Sequence, residues 1–543
     1  ATGRYVRMLS AVVQHPFKVL VAAVALLIGV QTYYAVNGNG VEFFPDVEPE
    51  FGQILVHARG NLSVDEMDRF VREVEREVLV VPGIKTIYTR VGAQDGGGRD
   101  LSEDVVGVIQ IEFKDWNLRR PANEIFAEIQ DRTRHLAGIT VEATEPEVGP
   151  PTGKPVQLHF SSRYPETLQP VLEQVLDKVR TIDGLVELED TRATPGIEWQ
   201  ISVDREQASR FGADIVHVGN VVKLVTNGLK IDDYRPDDAD EQVDIRVRYP
   251  TDERTLNQLD TLRVSTEEGL IPISNFVERK PKGKVGTVNR TDSRRVLAIK
   301  AGVAEGVLPD DKVSEIRAWL ETQEFDPRVD IDFKGEDEEQ KKAEAFLLKA
   351  FCIALFIMTI ILVTQFNSFY HAFLILSAVV MSTIGVMIGL MITGQAFGIV
   401  MTGIGVITLA GVVVNNNIVL IDTYDRLRDA GIPAIEAVVR TGAQRLRPVI
   451  LTAVTTVLGL MPMVLGLNIN LFTRDITIGG PSTQWWVQLA TAVASGLTFA
   501  TVLTLVVTPS LLALGANVGT WVENQKARWR SRRNPLPGPA PAE

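Results

Sequence analysis

The residues in this chain with most scope for chemistry are three consecutive amides, Asn415, Asn416 and Asn417, followed by Asp422. They lie in an apolar run, 397–421, long enough to span a bilayer, which takes roughly 20 residues. Hydrocarbon offers such groups no partner, so they are expected to face protein or a water-filled path. At about 100° per residue, Thr408, Gly411, Asn415 and Asp422 share a narrow arc, while Asn416 and Asn417 turn progressively away from it. Adjacent amides cover too wide an arc for one packing contact, which favours a functional role for Asn415 and Asn416. Asp422 lies about 10 Å along the helix from Asn415 and reads equally as an interfacial charge or a relay residue.

A second polar set could face the first. Thr452, Thr455, Thr456 and Gly459 share one side of a helix, and Arg445 joins them if that helix extends back through Pro448. Proline suits a helix's first turn better than its interior, so that extension is the open point. The competing reading is helix–helix glue, as for Gly385 and Gly389 or Thr491, Ser495 and Thr498, where small and hydroxyl residues let membrane helices approach.

Other chemistry is scarce. The six histidines, His15, His57, His135, His159, His217 and His371, show no metal-ligand spacing, and no phosphate-binding Gly-Lys-Ser/Thr loop is present. No metal or cofactor is expected, and transport would draw on an ion gradient or another subunit. Soft metal ions want several thioether or thiolate ligands. Of nine methionines only Met67 falls in the polar middle of the chain, at a helical core position, and Cys352 is the single cysteine.

The elements that would position these groups follow from hydropathy. Spans are expected at 17–36, 346–363, 372–392, 397–421, 449–467 and 487–514. Arg4 and Arg7, then Arg426, Arg428, Arg440, Arg445 and Arg447, then Lys526, Arg528, Arg530, Arg532 and Arg533 fall in segments sharing one face. The positive-inside rule makes that face cytoplasmic and puts the region from about 37 to 342 outside, with Trp485 and Trp486 at the outer edge of the last span. The net charge of −13 comes largely from that outer region and argues against a nucleic-acid partner. The run 17–36 lacks a clear small-residue cleavage site, so it reads as a span rather than a signal peptide.

The outer region alternates helix and strand patterns. Ser63 and Glu66 form a capping box ahead of Met67, Phe70, Val71 and Val74, and Gly83 leads into a strand at 84–91. About a hundred residues on, Leu168, Val171, Leu172, Val175, Leu176 and Val179 repeat the helix, and Gly184 leads into a strand from Leu185. The repetition predicts two related βαβ modules of the split, ferredoxin-like type. A looser stretch with an acidic loop at 232–241 is expected to be a smaller inserted domain. The tail beyond Arg533 is rich in proline and reads as disordered.

Several motifs occur in a fixed order: Val41-Glu42-Phe43-Phe44-Pro45-Asp46, Phe113-Lys114-Asp115-Trp116, Gln365-Phe366-Asn367-Ser368-Phe369, Gly411-Val412-Val413-Val414-Asn415-Asn416 with Ile418-Val419-Leu420, and Arg445-Leu446-Arg447-Pro448 with Thr452. Together they resemble the C-terminal half of a resistance–nodulation–division (RND) efflux transporter of the hydrophobe/amphiphile branch. The resemblance implies an α/β membrane protein with six transmembrane helices, two porter subdomains and an inserted docking domain. The implied bounds are 1–40 for the first span, 41–148 for the first porter subdomain, and 149–204 with 282–338 for the second. They continue with 205–281 for the docking domain, 339–516 for five spans and 517–543 for a cytoplasmic tail. It further implies a multi-pass protein of the bacterial inner membrane with its large domain in the periplasm. The implied partners are the N-terminal half of the transporter, a trimer, a periplasmic adaptor, an outer-membrane channel and a small-molecule substrate.

Two departures qualify this. The best-studied drug exporters carry lysine at the position matched by Asn415. An amide does not change charge, so Asn415 can orient a carboxylate or water but cannot carry the proton. The family's proton-binding aspartates lie in the other half. Asn415, Asn416, Arg445, Thr452, Thr408 and Asp422 are therefore expected to position the proton relay. Second, the family's Phe-rich loop is matched by Gly92-Ala93-Gln94-Asp95-Gly96-Gly97-Gly98, which has no aromatic and so weakens stacking of aromatic drugs. The expected function is proton-driven export of hydrophobic or amphiphilic compounds. The alternatives are heavy-metal export, which the methionine distribution disfavours, and a non-exporting module assisting protein translocation, which the inserted domain disfavours.

Overall fold

The computed structural model describes residues 2–58, 60, 62–92, 104–145, 153–192, 196–237, 242–266, 269–283, 288–304, 306–470 and 474–519. Helix α1 (Thr2–Val13), not expected from hydropathy, and apolar α2 (Pro16–Asn37) lead into strand β1 (Phe51–Ala58). Then come α3 (Val64–Leu79), β2 (Ile84–Val91), β3 (Val105–Phe113), α4 (Ala122–Thr133) and β4 (Ile139–Thr144). The capping box forms: Ser63 Oγ accepts from the Glu66 amide at 3.3 Å, and Glu66 Oε2 accepts from the Ser63 amide at 2.8 Å. Such a cap contributes about 1 kcal/mol. The helix face beneath it contributes more, since Val71, Val74 and Val78 pack on Ile54, Val56, Ile109 and Ile111. Each of those buried side chains is worth about 1.5–3 kcal/mol.

The first sheet runs β2-β3-β1-β4, all neighbours antiparallel. A second module repeats that order. It is built from β5 (Val156–Ser162), α5 (Pro165–Val179), β6 (Leu185–Asp190), β7 (Arg294–Val303), α6 (Pro309–Leu320) and β8 (Asp330–Gly335), paired as β6-β7-β5-β8. In both, the first and third strands lie side by side at the centre, the arrangement of a split βαβ unit. Leu168, Leu172, Val175 and Ile316 supply the helix side of the second core, and Leu158, Phe160 and Ile299 the sheet side. At both helix-to-strand corners a glycine takes a left-handed conformation, Gly83 at φ 108 and Gly184 at φ 84, which a side chain would strain.

The stretch Ala193–Val288, with Arg59–Asn61, is a separate compact unit. Its boundary lies earlier than 205. The strand Ile197–Val203 pairs along its full length with Val277–Gly283, so its backbone hydrogen bonds belong to this unit and not to the second module. The acidic stretch also differs from expectation. Leu229–Tyr234 is a strand pairing antiparallel with Val243–Val247, and Lys230 sits 2.6 Å from Asp233 and 2.8 Å from Asp244. Residues 238–241, the expected glycine-rich loop from Ala93 to Gly98 and the tail from 520 lie outside the described residues.

Five further helices follow: α7 (Glu336–Phe366), α8 (Phe369–Thr393), α9 (Ile399–Asp429), α10 (Ala434–Val464) and α11 (Pro481–Thr504), the last continuing in helix from 507 to 519. With α2 they make six helices, among the described residues, long and apolar enough to cross a membrane. The fifth span differs from expectation. Helix α10 starts near 434, passes through Pro448 and Pro462, and stops before Leu467, which opens a short hairpin. The apolar windows of α8, α9 and α11 are 61%, 50% and 67% buried, against 6–11% for α2, α7 and α10, so the first three form the centre of the bundle. Close approach there uses glycine: a Cβ on Gly385 would stand 2.7 Å from the Ser495 carbonyl and 2.9 Å from the Gly496 Cα. Trp485, in the first turns of α11, stacks edge-on against Phe44 at 5.6 Å.

Candidate functional site

Two polar sites emerge, one among the helices and one between the modules. On α9, Thr408, Gly411 and Asn415 lie on an exposed stripe, and a Cβ at Gly411 would meet nothing within 4 Å. Asp422 continues the stripe, half-buried and 3.1 Å from Arg426 one turn on. Asn416 and Asn417 turn inward. Thr452 Oγ1 on α10 reaches Asn416 Oδ1 at 3.4 Å, and Thr508 Oγ1 donates to Asn417 Oδ1 at 2.8 Å. Arg445 Nε donates to Thr423 Oγ1 on α9 at 2.6 Å, which the continuity of α10 through Pro448 permits.

The expected relay set is therefore split. Asn416, Arg445 and Thr452 come together on the α9–α10 side, whereas Thr408, Asn415 and Asp422 face away from the chain's own helices. Thr455 and Thr456 donate to carbonyls of their own helix, which is the packing reading. Sequence reasoning left Asn417 out of the relay set and passed over Thr423 and Thr508. The first two lie on the buried flank of the helix whose open arc drew attention, and Thr508 lies 91 residues from its partner.

The second site was not foreseen. In β1, Ile54, Val56 and Ala58 enter the first core, while Gln53, Leu55 and His57 face the other side of the sheet and are also buried. There His57 Nδ1 lies 3.3 Å from Asp104 and Nε2 3.5 Å from Glu142 Oε2 on β4. Glu142 also accepts from Lys154 Nζ at 2.9 Å. Lys154 stands at the head of the second module and donates to the Glu187 carbonyl of β6 at 2.5 Å, with Glu189 Oε1 at 3.3 Å. A bulge in the β6–β7 pairing and a left-handed backbone at Glu187, φ 51, aim that carbonyl. Gln130 Nε2 of α4 adds a 3.3 Å bond to Glu187 Oε1. Charges from both modules thus meet in one cluster.

Electrostatics follow from burial and pairing. Burial alone would lower the His57 pKa, but Asp104 and Glu142 outweigh it and push the imidazole up to about 9. Burial works to raise Glu142, yet His57 and Lys154 hold it well below the usual carboxylate range. Glu187 is raised to about 7, by burial first and by repulsion from Glu142 second. His57, Glu142 and Glu189 each offer a ligand atom within 4.8 Å of the others, a set able to hold a divalent metal ion. Ligand spacing along the chain could not reveal it, because the three come from three strands separated by 85 and 47 residues. Met67 packs on the first core and takes no part.

The AcrB/AcrD/AcrF family model matches residues 1–515. Similar solved structures include two X-ray crystal structures of a heavy metal efflux pump. Crystal form I gives a TM-score of 0.77 at 22% identity and covers 94% of this chain and 52% of that one. Crystal form II gives 0.76 at 21% identity and covers 94% and 51%. This chain thus spans about half the length of the pumps it is similar to.

Proposed function

The chain belongs to the AcrB/AcrD/AcrF family of RND transporters, and from that premise we propose that it supplies one half, the C-terminal one, of a proton-driven exporter of amphiphilic compounds. The observation that carries this is the open stripe on α9. Among the described residues, Thr408 and Asn415 are polar groups on a membrane helix that the other helices leave uncovered, with the Asp422–Arg426 pair continuing the stripe, and lipid cannot satisfy the amide and hydroxyl. A second set of spans laid against this stripe would cover them and bring the titrating carboxylates that amides lack. Asn416 and Asn417, tied to Thr452 and Thr508, then hold α9 in register, and Arg445 anchors its inner end through Thr423.

Cargo would pass between the two modules on the periplasmic side, with the Ala193–Val288 unit docking to an envelope partner in a trimeric assembly. The groups gathered there favour cationic amphiphiles over neutral aromatic ones. Glu142, Glu187 and Glu189 are acceptors for a positive head group, and the recognition of bulky rings by stacking has no aromatic counterpart in the cluster. A divalent metal ion is the second reading, supported by the His57, Glu142 and Glu189 ligand set and by the pumps the fold resembles. It requires His57 to lose the proton its two carboxylates hold. The test is inside-out vesicles containing this chain and the complementary half. A pH gradient should drive accumulation of a cationic amphiphilic dye, and a protonophore should abolish it. Accumulation of zinc instead of dye would select the second reading, and accumulation of neither would overturn both.

A further inference from the structure

Lys154 occupies an unusual place in the cleft. Its ammonium has three N–H donors and finds three acceptors: Glu142 Oε2 at 2.9 Å, the Glu187 carbonyl at 2.5 Å and Glu189 Oε1 at 3.3 Å. The first belongs to β4 of one module and the other two to β6 of the other. Opposite it, His57 is only 8% exposed, and its Nε2 makes no hydrogen bond although it points at Glu142. The cage thus holds one cation on a flexible stem beside an imidazole that shares Glu142 with it.

We propose that Lys154 is a tethered cation that a cationic cargo must displace, so that loading the cleft unfastens the two modules from each other. This deepens, and rests on, the cationic-cargo reading. With Lys154 withdrawn and only His57 left among the carboxylates, Glu142 would face Glu187 and Glu189 as like charges in a poorly solvated site, an arrangement that drives the modules apart. The cage therefore stays closed until another positive group takes over the carboxylates. An incoming ammonium replaces the Lys154 contacts one for one, but it carries no covalent link to the second module. The bond from Gln130 to Glu187 also crosses between the modules, but it is a neutral donor on a carboxylate and the weaker tie. Cargo entry and cleft opening then become a single event, with cation exchange as its trigger.

The experiment measures the spacing of the modules directly. Spin labels replace Asp131 on α4 and Asp177 on α5, both exposed, as D131C and D177C in the full chain with Cys352→Ala, held in nanodiscs. The probes are n-hexylammonium chloride and, separately, zinc chloride. The wild-type sequence at Lys154 should give one narrow distance distribution that n-hexylammonium converts to a longer, broader one. Lys154→Met should show the longer distribution before any probe is added, and Lys154→Arg should behave as the wild type. A narrow, wild-type distribution in probe-free Lys154→Met, with the probe still binding, would overturn the tether while leaving a cationic cargo in place. If neither probe bound any variant, the cationic-cargo reading would fall and the tether with it.

Discussion

The cleft between the modules and the stripe on α9 both gather polar side chains, and they resolve them in opposite ways. In the cleft, His57 and Lys154 meet Asp104, Glu142, Glu187 and Glu189 inside one chain. On α9, Thr408 and Asn415 have no counterpart among the described residues of the other helices, and Asp422 pairs with Arg426 on its own helix. The difference teaches where each site is complete. A charged cluster whose cations and carboxylates come from one chain can do its work within this half, and the amide and hydroxyl part of a stripe on a membrane helix waits for another surface.

That contrast can be broken first at its strongest point. Glu142→Leu removes the carboxylate shared by two buried cations. His57 keeps Asp104 and Lys154 keeps Glu189, so the outer region is expected to lose stability toward the lower end of the about 3–5 kcal/mol that breaking a buried pair costs, read by chemical unfolding of the purified chain. Asn417→Leu is next. It strips Thr508 of its acceptor at a fully buried position and should cost about 1–3 kcal/mol.

A pH series sharpens the same comparison. The pKa of His57 is raised from 6.5 in the open chain to about 9 in the fold. Its stabilising contribution is therefore complete below about pH 6.5 and is lost as pH rises through about 9. Thermal unfolding followed from pH 6 to 10 should show this decline, and His57→Gln should flatten it. The α9 amides do not titrate, so Asn417→Leu should shift the whole curve without changing its slope. The smallest effect is expected for Asn415→Leu, within about 0.5 kcal/mol in the isolated chain, because its side chain is exposed there.

How far the sequence carried the reading follows the same division. The stripe was legible because a helix repeats locally: Thr408, Gly411 and Asn415 are three and four residues apart, so hydropathy and a 100° step place them together. The repeated helix-to-glycine-to-strand corners at Gly83 and Gly184 disclosed the two modules for a similar reason. The cleft cluster was not legible. His57, Glu142, Lys154 and Glu189 converge only when two sheets fold and face each other, and no local period connects them. The Met-based expectation for metals also drew attention away from oxygen and imidazole ligands. The start of the inserted unit was misjudged because Ile197–Val203 reads as an ordinary strand, and only its pairing with Val277–Gly283 assigns it.

The most direct test of the central claim, that another polypeptide segment completes the α9 stripe, is Asn415→Leu in the assembled transporter. Proton-coupled efflux is measured beside the stability of the isolated chain. The expected result is unchanged stability with efflux reduced at least 10-fold, about 1.4 kcal/mol or more of lost coupling. Unchanged efflux would contradict the claim and leave Asn415 as a packing residue.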